Sequence, residues 1–169
     1  NAAEIGADSD RVFVGGDSSG GNLALATALS DGEACRRLAG VVCFYPVTKA
    51  YADGSASWDD YGAGYGLDAD LMEAFNSAYI GHIKGRVPGD VNVGDMSEWA
   101  LGRLPRTLLV AAGRDILCDQ GREFAMKVGA QRLTRVEFPQ AVHLFITVGG
   151  QPEAFRRAVE LTVGFIEGE

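Results

Sequence analysis

Basic patches are what this chain most clearly lacks. Its 15 Lys+Arg are outnumbered by 23 Asp+Glu, for a formal net charge of −8. No Lys/Arg cluster stands out, so the chain has no electrostatic footprint of a nucleic-acid partner. No uninterrupted apolar run approaches the ~20 residues that a membrane-spanning helix needs. Cysteine is scarce: Cys35, Cys43 and Cys118 are odd in number and unevenly spaced, and no C-x-x-C pair occurs. That pattern excludes a disulfide framework and a cysteine-based metal knuckle. Cys43 sits in an apolar run and reads as core, while Cys35 and Cys118 read as packing residues or free thiols. Histidine occurs only at His82 and His143. There is no internal repeat and no low-complexity tract. What is present is ordinary for a globular protein: 169 residues, 47% apolar and 22% charged, the size of one domain. The chain opens on Asn1 rather than Met, and we expect a fragment or a processed product.

Apolar runs alternate with helical patterns. Strands are expected over 11–16, 38–45 (stopped by Pro46), 106–112 (stopped by Gly113) and 135–138 (stopped by Pro139). Helices are expected over 20–30, 120–131 and 152–166. Runs such as Val41-Val42-Cys43-Phe44 and Leu108-Leu109-Val110-Ala111 are continuously apolar, as in strands covered on both faces. The alternation predicts βαβ units and a mostly parallel sheet with helices on both faces. The stretch 47–105 breaks the rhythm. It is rich in Gly, Asp, Ser and Tyr, has no clear strand, and contains a helical segment over 69–80 that Asp68 is placed to cap. An excursion of that length is expected to wall a pocket; the plainer alternative is an insertion that packs on the sheet edge.

The most specific local pattern is Gly16-Asp17-Ser18-Ser19-Gly20-Gly21, a G-x-S-x-G centred on Ser18. The run Val12-Phe13-Val14 leads in and Asn22 to Leu29 leads out as a helix. That context makes the pattern a nucleophile elbow, a strained strand-to-helix turn whose neighbours must lack bulk. The helix start points backbone N–H groups at the place where an oxyanion would form, with the Ser19 N–H as the donor. A glycine-rich turn that binds phosphate or only packs is the competing reading.

A serine hydroxyl needs a base, and the base needs an orienting acid. His143 directly follows the fourth expected strand, whereas His82 lies in the excursion with no chemistry around it. Asp115 lies just past the third strand; Asp119, one turn later, is the rival acid. In a parallel sheet, loops after strand C-termini open on one edge, where ligands bind. Ser18, Asp115 and His143 all fall on such loops, in the order Ser…Asp…His.

These residues carry a family resemblance. The motif G-D-S-[AS]-G-G-N-L-A is complete over 16–24, the acid segment D-P-L-x-D-E-G appears as Asp115 to Gly121, and H-x-F appears as His143-Leu144-Phe145. The chain resembles the hormone-sensitive-lipase-like group of α/β-hydrolase esterases, which includes bacterial acetyl esterases; the stretch 58–80 also resembles the segment between the corresponding strands of those enzymes. Ile116 stands where the family usually has proline, and Gln120 where it has glutamate. The family's upstream His-Gly-Gly-Gly loop, which supplies further oxyanion donors, does not occur. The resemblance therefore implies the C-terminal half of one α/β-hydrolase catalytic domain over 1–169. It also implies a carboxylic ester hydrolase with Ser18 as nucleophile, His143 as base and Asp115 as acid, acting on small short-acyl esters with no cofactor or metal. A binding relative without turnover, or an amidase or peptidase with the same three residues, are the alternatives. The apolar strand 11–16 would present an unpaired edge, so an upstream segment of the same protein or a second copy is expected to cover it.

Overall fold

The computed structural model describes residues 2–85 and 87–168. Four strands, β1 (Phe13–Asp17), β2 (Gly40–Phe44), β3 (Thr107–Arg114) and β4 (Leu133–Val142), form one sheet. They pair in chain order and every pairing is parallel. The helices are α1 (Ser19–Leu29), α2 (Glu33–Arg36), α3 (Ala56–Tyr61), α4 (Ala69–Ile80), α5 (Glu98–Leu101), α6 (Cys118–Val128) and α7 (Pro152–Glu167).

The side-chain alternation of the strands divides the core into two layers. Val41 and Cys43 of β2 and Leu109 and Ala111 of β3 meet Leu25 and Leu29 of α1 and Phe124 of α6. Val42, Leu108, Val110 and Ala112 point the other way and meet α7 through Ala158, Leu161 and Phe165. Both faces of β2 and β3 are thus covered, which is why their sequences are apolar without a break. Beneath the excursion a third cluster joins Val47, Trp58, Leu67 and Met72 to Ile116 and Leu117. The described residues of 47–105 contain no strand; they form α3, α4, a short 3-10 turn and α5.

The two strands expected to stop at Gly113 and Pro139 do not stop there. β3 continues to Arg114, and β4 runs from Leu133 through Pro139 to Val142, with a register shift between Ala112 and Arg114. Proline is tolerated because β4 is an edge strand and the pairing is irregular at that point. Gly113 makes the passage possible: a Cβ there would stand 2.6 Å from the Pro139 Cα. The strand expected at 11–16 begins at Phe13, leaving Val12 47% exposed outside the sheet. α6 starts at Cys118 and ends at Val128, ahead of the expected 120–131. Asp68 does occupy the N-cap position of α4, but its carboxylate caps nothing there. It accepts instead from the Gly64 N–H at 2.7 Å, closing the loop before the helix.

The crossing of β3 and β4 can be checked directly. Gly113→Ala should destabilise the fold by about 1–3 kcal/mol in urea unfolding, as overpacking against backbone does. Gly149→Ala, with open space around its added methyl, should stay within about 0.5 kcal/mol of the parent.

Candidate active site

Because the strands are parallel and adjacent in order, their C-terminal ends share one edge of the sheet. Ser18 follows β1 at φ 52 and ψ −117, a strained backbone for a residue with a Cβ. The turn is held from both sides: the Ser18 N–H donates to the Phe44 carbonyl at 2.9 Å, and the Ser18 carbonyl accepts from Val47 N–H at 3.1 Å and Asn22 N–H at 3.2 Å. It closes only because Gly16 has no side chain; a Cβ there would collide with the Gly20 backbone. Ser19 opens α1, so its N–H belongs to the helix's unsatisfied first-turn donors.

Asp115 follows β3 and His143 follows β4; both are buried. A chain of two hydrogen bonds joins the three residues. His143 Nδ1 lies 2.7 Å from Asp115 Oδ2, and His143 Nε2 lies 3.0 Å from Ser18 Oγ. The other carboxylate oxygen of Asp115 accepts the Leu117 N–H at 2.9 Å, which fixes its plane. With a carboxylate on Nδ1, the imidazole carries its proton there and turns a lone pair toward Ser18 Oγ.

Asp119 is elsewhere. Its Oδ2 accepts the Ser57 N–H at 2.9 Å, its other oxygen pairs with Arg122, and its own N–H donates to Ser57 Oγ at 3.1 Å. It fastens α3 to α6 and does not bond to His143. His82 is exposed beyond the C-terminus of α4 and does not line the cavity. Of the two residues that depart from the resembling motif, Ile116 is buried against the third cluster. Gln120 Oε1 accepts the N–H groups of Thr48 at 2.7 Å and Lys49 at 3.0 Å, anchoring the start of the excursion.

A cavity of about 530 Å³ opens onto Ser18 and His143. One wall is α4, through Leu71, Met72, Phe75 and Tyr79; the opposite side carries Leu23 and Leu144. Among the described residues no charged side chain lines it. The α4 spacing puts these four residues on one helical face, a pattern readable in the sequence once the helix is known to border a cavity. A second depression of similar size, about 560 Å³, lies between the end of β4 and the start of α7 and is lined by neither Ser18 nor His143.

Two residues beside the site escaped sequence reasoning. Tyr45 and Leu144 both adopt positive φ, 36 and 64, and nothing in their residue types signals it. Burial pushes the Tyr45 phenol up to about 12. Burial also raises the thiols of Cys43 and Cys118, so neither is a ready thiolate. Among the described residues no group of three or more His, Cys, Asp or Glu is arranged to hold a metal ion, and no helix is long and apolar enough to cross a membrane.

The comparisons with known proteins agree with this fold. Residues 1–147 match the family described as having the alpha/beta hydrolase fold. The chain belongs to that family. It is 30% identical over 161 residues to an arylesterase of Saccharolobus solfataricus, covering 93% of this chain and 50% of that protein. Among solved structures, EstE1, a thermophilic and thermostable carboxylesterase cloned from a metagenomic library, superposes with a TM-score of 0.83 at 30% identity. That match covers 98% of this chain and 57% of EstE1. A thermostable esterase from Pseudomonas putida superposes with a TM-score of 0.79 at 27% identity, over 98% of this chain and 52% of the other. These neighbours agree with the hormone-sensitive-lipase-like resemblance. The chain spans about half the length of the relatives it matches.

The structural assignment of Asp119 has its own check. Asp119→Ala strands the Ser57 N–H and should cost about 1–3 kcal/mol of unfolding free energy. The imidazole signals of His143 should not move, since Asp119 does not bond to that ring.

Proposed function

We propose that this alpha/beta hydrolase cleaves carboxylic esters with Ser18 as nucleophile, His143 as general base and Asp115 as its orienting acid. The observation that carries the reading is the continuous hydrogen-bond chain Ser18 Oγ–His143–Asp115 on the ligand-facing edge of the sheet. Ser18 Oγ attacks the ester carbonyl carbon while its proton passes to His143 Nε2. Asp115 stabilises the imidazolium so formed. The carbonyl oxygen takes up the electron pair and meets the Ser19 N–H at the start of α1. Collapse of the tetrahedral intermediate breaks the ester C–O bond, and Nε2 returns its proton to the leaving alkoxide. Water, deprotonated by the same nitrogen, then cleaves the acyl-enzyme and restores Ser18. The cycle balances with water as the sole co-reactant.

The apolar, uncharged cavity favours a small neutral ester, and the resemblance favours a short acyl chain. In this reading residues 1–169 are the C-terminal part of one catalytic domain, and the described part of 47–105 walls the substrate pocket. β1 has a single neighbour in the sheet, so its free edge is the place for an upstream segment of the same protein or a second copy to pair. Light scattering combined with intact mass would report that association.

Point substitutions with a phosphonate serine probe and paired ester and amide substrates test the assignment. Ser18→Ala should lose both labelling and turnover. His143→Ala should lower kcat by orders of magnitude, and Asp115→Asn by about 10⁴, since the imidazole would hold the wrong tautomer. His82→Ala and Asp119→Asn should stay near the parent. Cleavage of the amide in preference to the ester would make the protein an amidase. Ligand binding with no Ser18 labelling would make it a receptor.

A further inference from the structure

We infer that Tyr45 is a positioning residue for His143, holding the imidazole in place through the half of the cycle in which Ser18 cannot. The inference rests on the ester-hydrolase reading of the same site.

Strand alternation does not account for where Tyr45 is. Val41 and Cys43 face the α1 layer, and Val42 and Phe44 face the α7 layer. Continued alternation would return residue 45 to the α1 side. Instead Tyr45 lies in the α7-side cluster beside Val42, Val110 and Phe145. The break in alternation comes with its φ of 36, an unfavourable conformation for a bulky side chain. The backbone is pinned there by the Tyr45 N–H, which donates to the Val110 carbonyl at 2.7 Å. The phenol hydroxyl lies beside Thr147 and the Ile146 backbone. Apolar filling alone does not demand the positive φ. Such local costs gather where a side chain must be aimed.

The ring is aimed at His143. The two ring centroids are 4.8 Å apart at an interplanar angle of 56°. Behind it, Phe145 meets Tyr45 at 5.6 Å, and Phe138 meets Phe145 at 5.5 Å. The imidazole therefore has three supports: Asp115 at Nδ1, Ser18 at Nε2, and a tilted aromatic contact with Tyr45. Acylation removes one of them, because an acylated Oγ has no proton to share and its lone pairs belong to an ester. Nε2 must then wait for water with only Asp115 and Tyr45 holding the ring. Loss of the ring contact should therefore slow deacylation more than acylation.

The experiment uses the full chain with Tyr45→Phe and Tyr45→Leu. Imidazole NMR is its first readout, with His82, exposed and remote, as the internal reference. The expected result is one His143 tautomer, protonated at Nδ1, in the parent and Tyr45→Phe, and mixed or exchange-broadened His143 signals in Tyr45→Leu. His82 should be the same in all three. Steady-state kinetics on a short-acyl ester is the second readout. Tyr45→Leu should lower kcat by about 10- to 100-fold, the scale of a misplaced catalytic group, with KM falling alongside it. Acyl-enzyme should accumulate in the intact mass, and Tyr45→Phe should restore parental values. A merely structural role predicts equal losses in kcat and kcat/KM and no accumulation, and that result overturns the inference. So does a Tyr45→Leu protein whose His143 signals match the parent. Should Tyr45→Leu not fold, Tyr45→Met takes its place with the same NMR and kinetic readouts, and the same outcomes support or overturn the inference. Absence of ester turnover and Ser18 labelling in the parent would sink the hydrolase reading separately, leaving the NMR outcome to judge the contact between Tyr45 and His143.

Discussion

Everything at this site depends on the parallel, in-order register of four strands. Asp17 stands opposite Phe44, Phe44 opposite Val110, and Ala112 opposite Phe138. Because no strand is reversed, every loop that leaves a C-terminal end leaves on the same side. A serine, a tyrosine, an aspartate and a histidine that are distant in sequence therefore share one small volume. The hydrophobic layers on the two faces supply the driving force, since Val41, Val42, Leu109 and Val110 are each removed from water. The polar residues at the strand ends contribute little to that driving force and are placed by it.

Several polar groups brought into this region are held by protein partners. Asp115 divides its two oxygens between an imidazole and a backbone N–H. Gln120 gives one oxygen to two consecutive backbone donors. Asn22 donates from Nδ2 to the carbonyls of Val47 and Val91, tying α1 to the start of the excursion and to the stretch ahead of α5. These bonds tie the excursion to α1 and α6, while α4 meets the folded body through Met72, packed with Val47, Ile116 and Leu117.

Much of this arrangement was legible in the sequence, for identifiable reasons. The strands around Val41 and Leu109 announce themselves because burial on both faces demands continuous apolar residues. The elbow at Ser18 is legible because a close backbone crossing demands glycine at position 16. The chain order of Ser18, Asp115 and His143 follows from strand-loop placement alone. What was not legible depends on partners distant in sequence. Pro139 reads as a stop, and only the facing Gly113 explains why the strand passes through it. Asp68 reads as a helix cap, yet the N–H of Gly64 takes its carboxylate. The positive φ of Tyr45 leaves no mark on composition or periodicity; it shows only where a ring appears on the face of the sheet that alternation denies it.

The Ser18–His143 bond joins positions 125 residues apart. Between them lie three strand pairings, each of which must form before the two side chains can meet. Loop-closure entropy is spent before such a contact returns anything, so long-range parallel pairing is slow compared with local helix formation. In refolding, α1 and α7 can gain structure early from their own sequences, but the Ser18–His143 contact cannot precede the complete sheet. Its appearance therefore reports that all three pairings are in place, which makes this hydrogen bond an indicator of the assembled sheet.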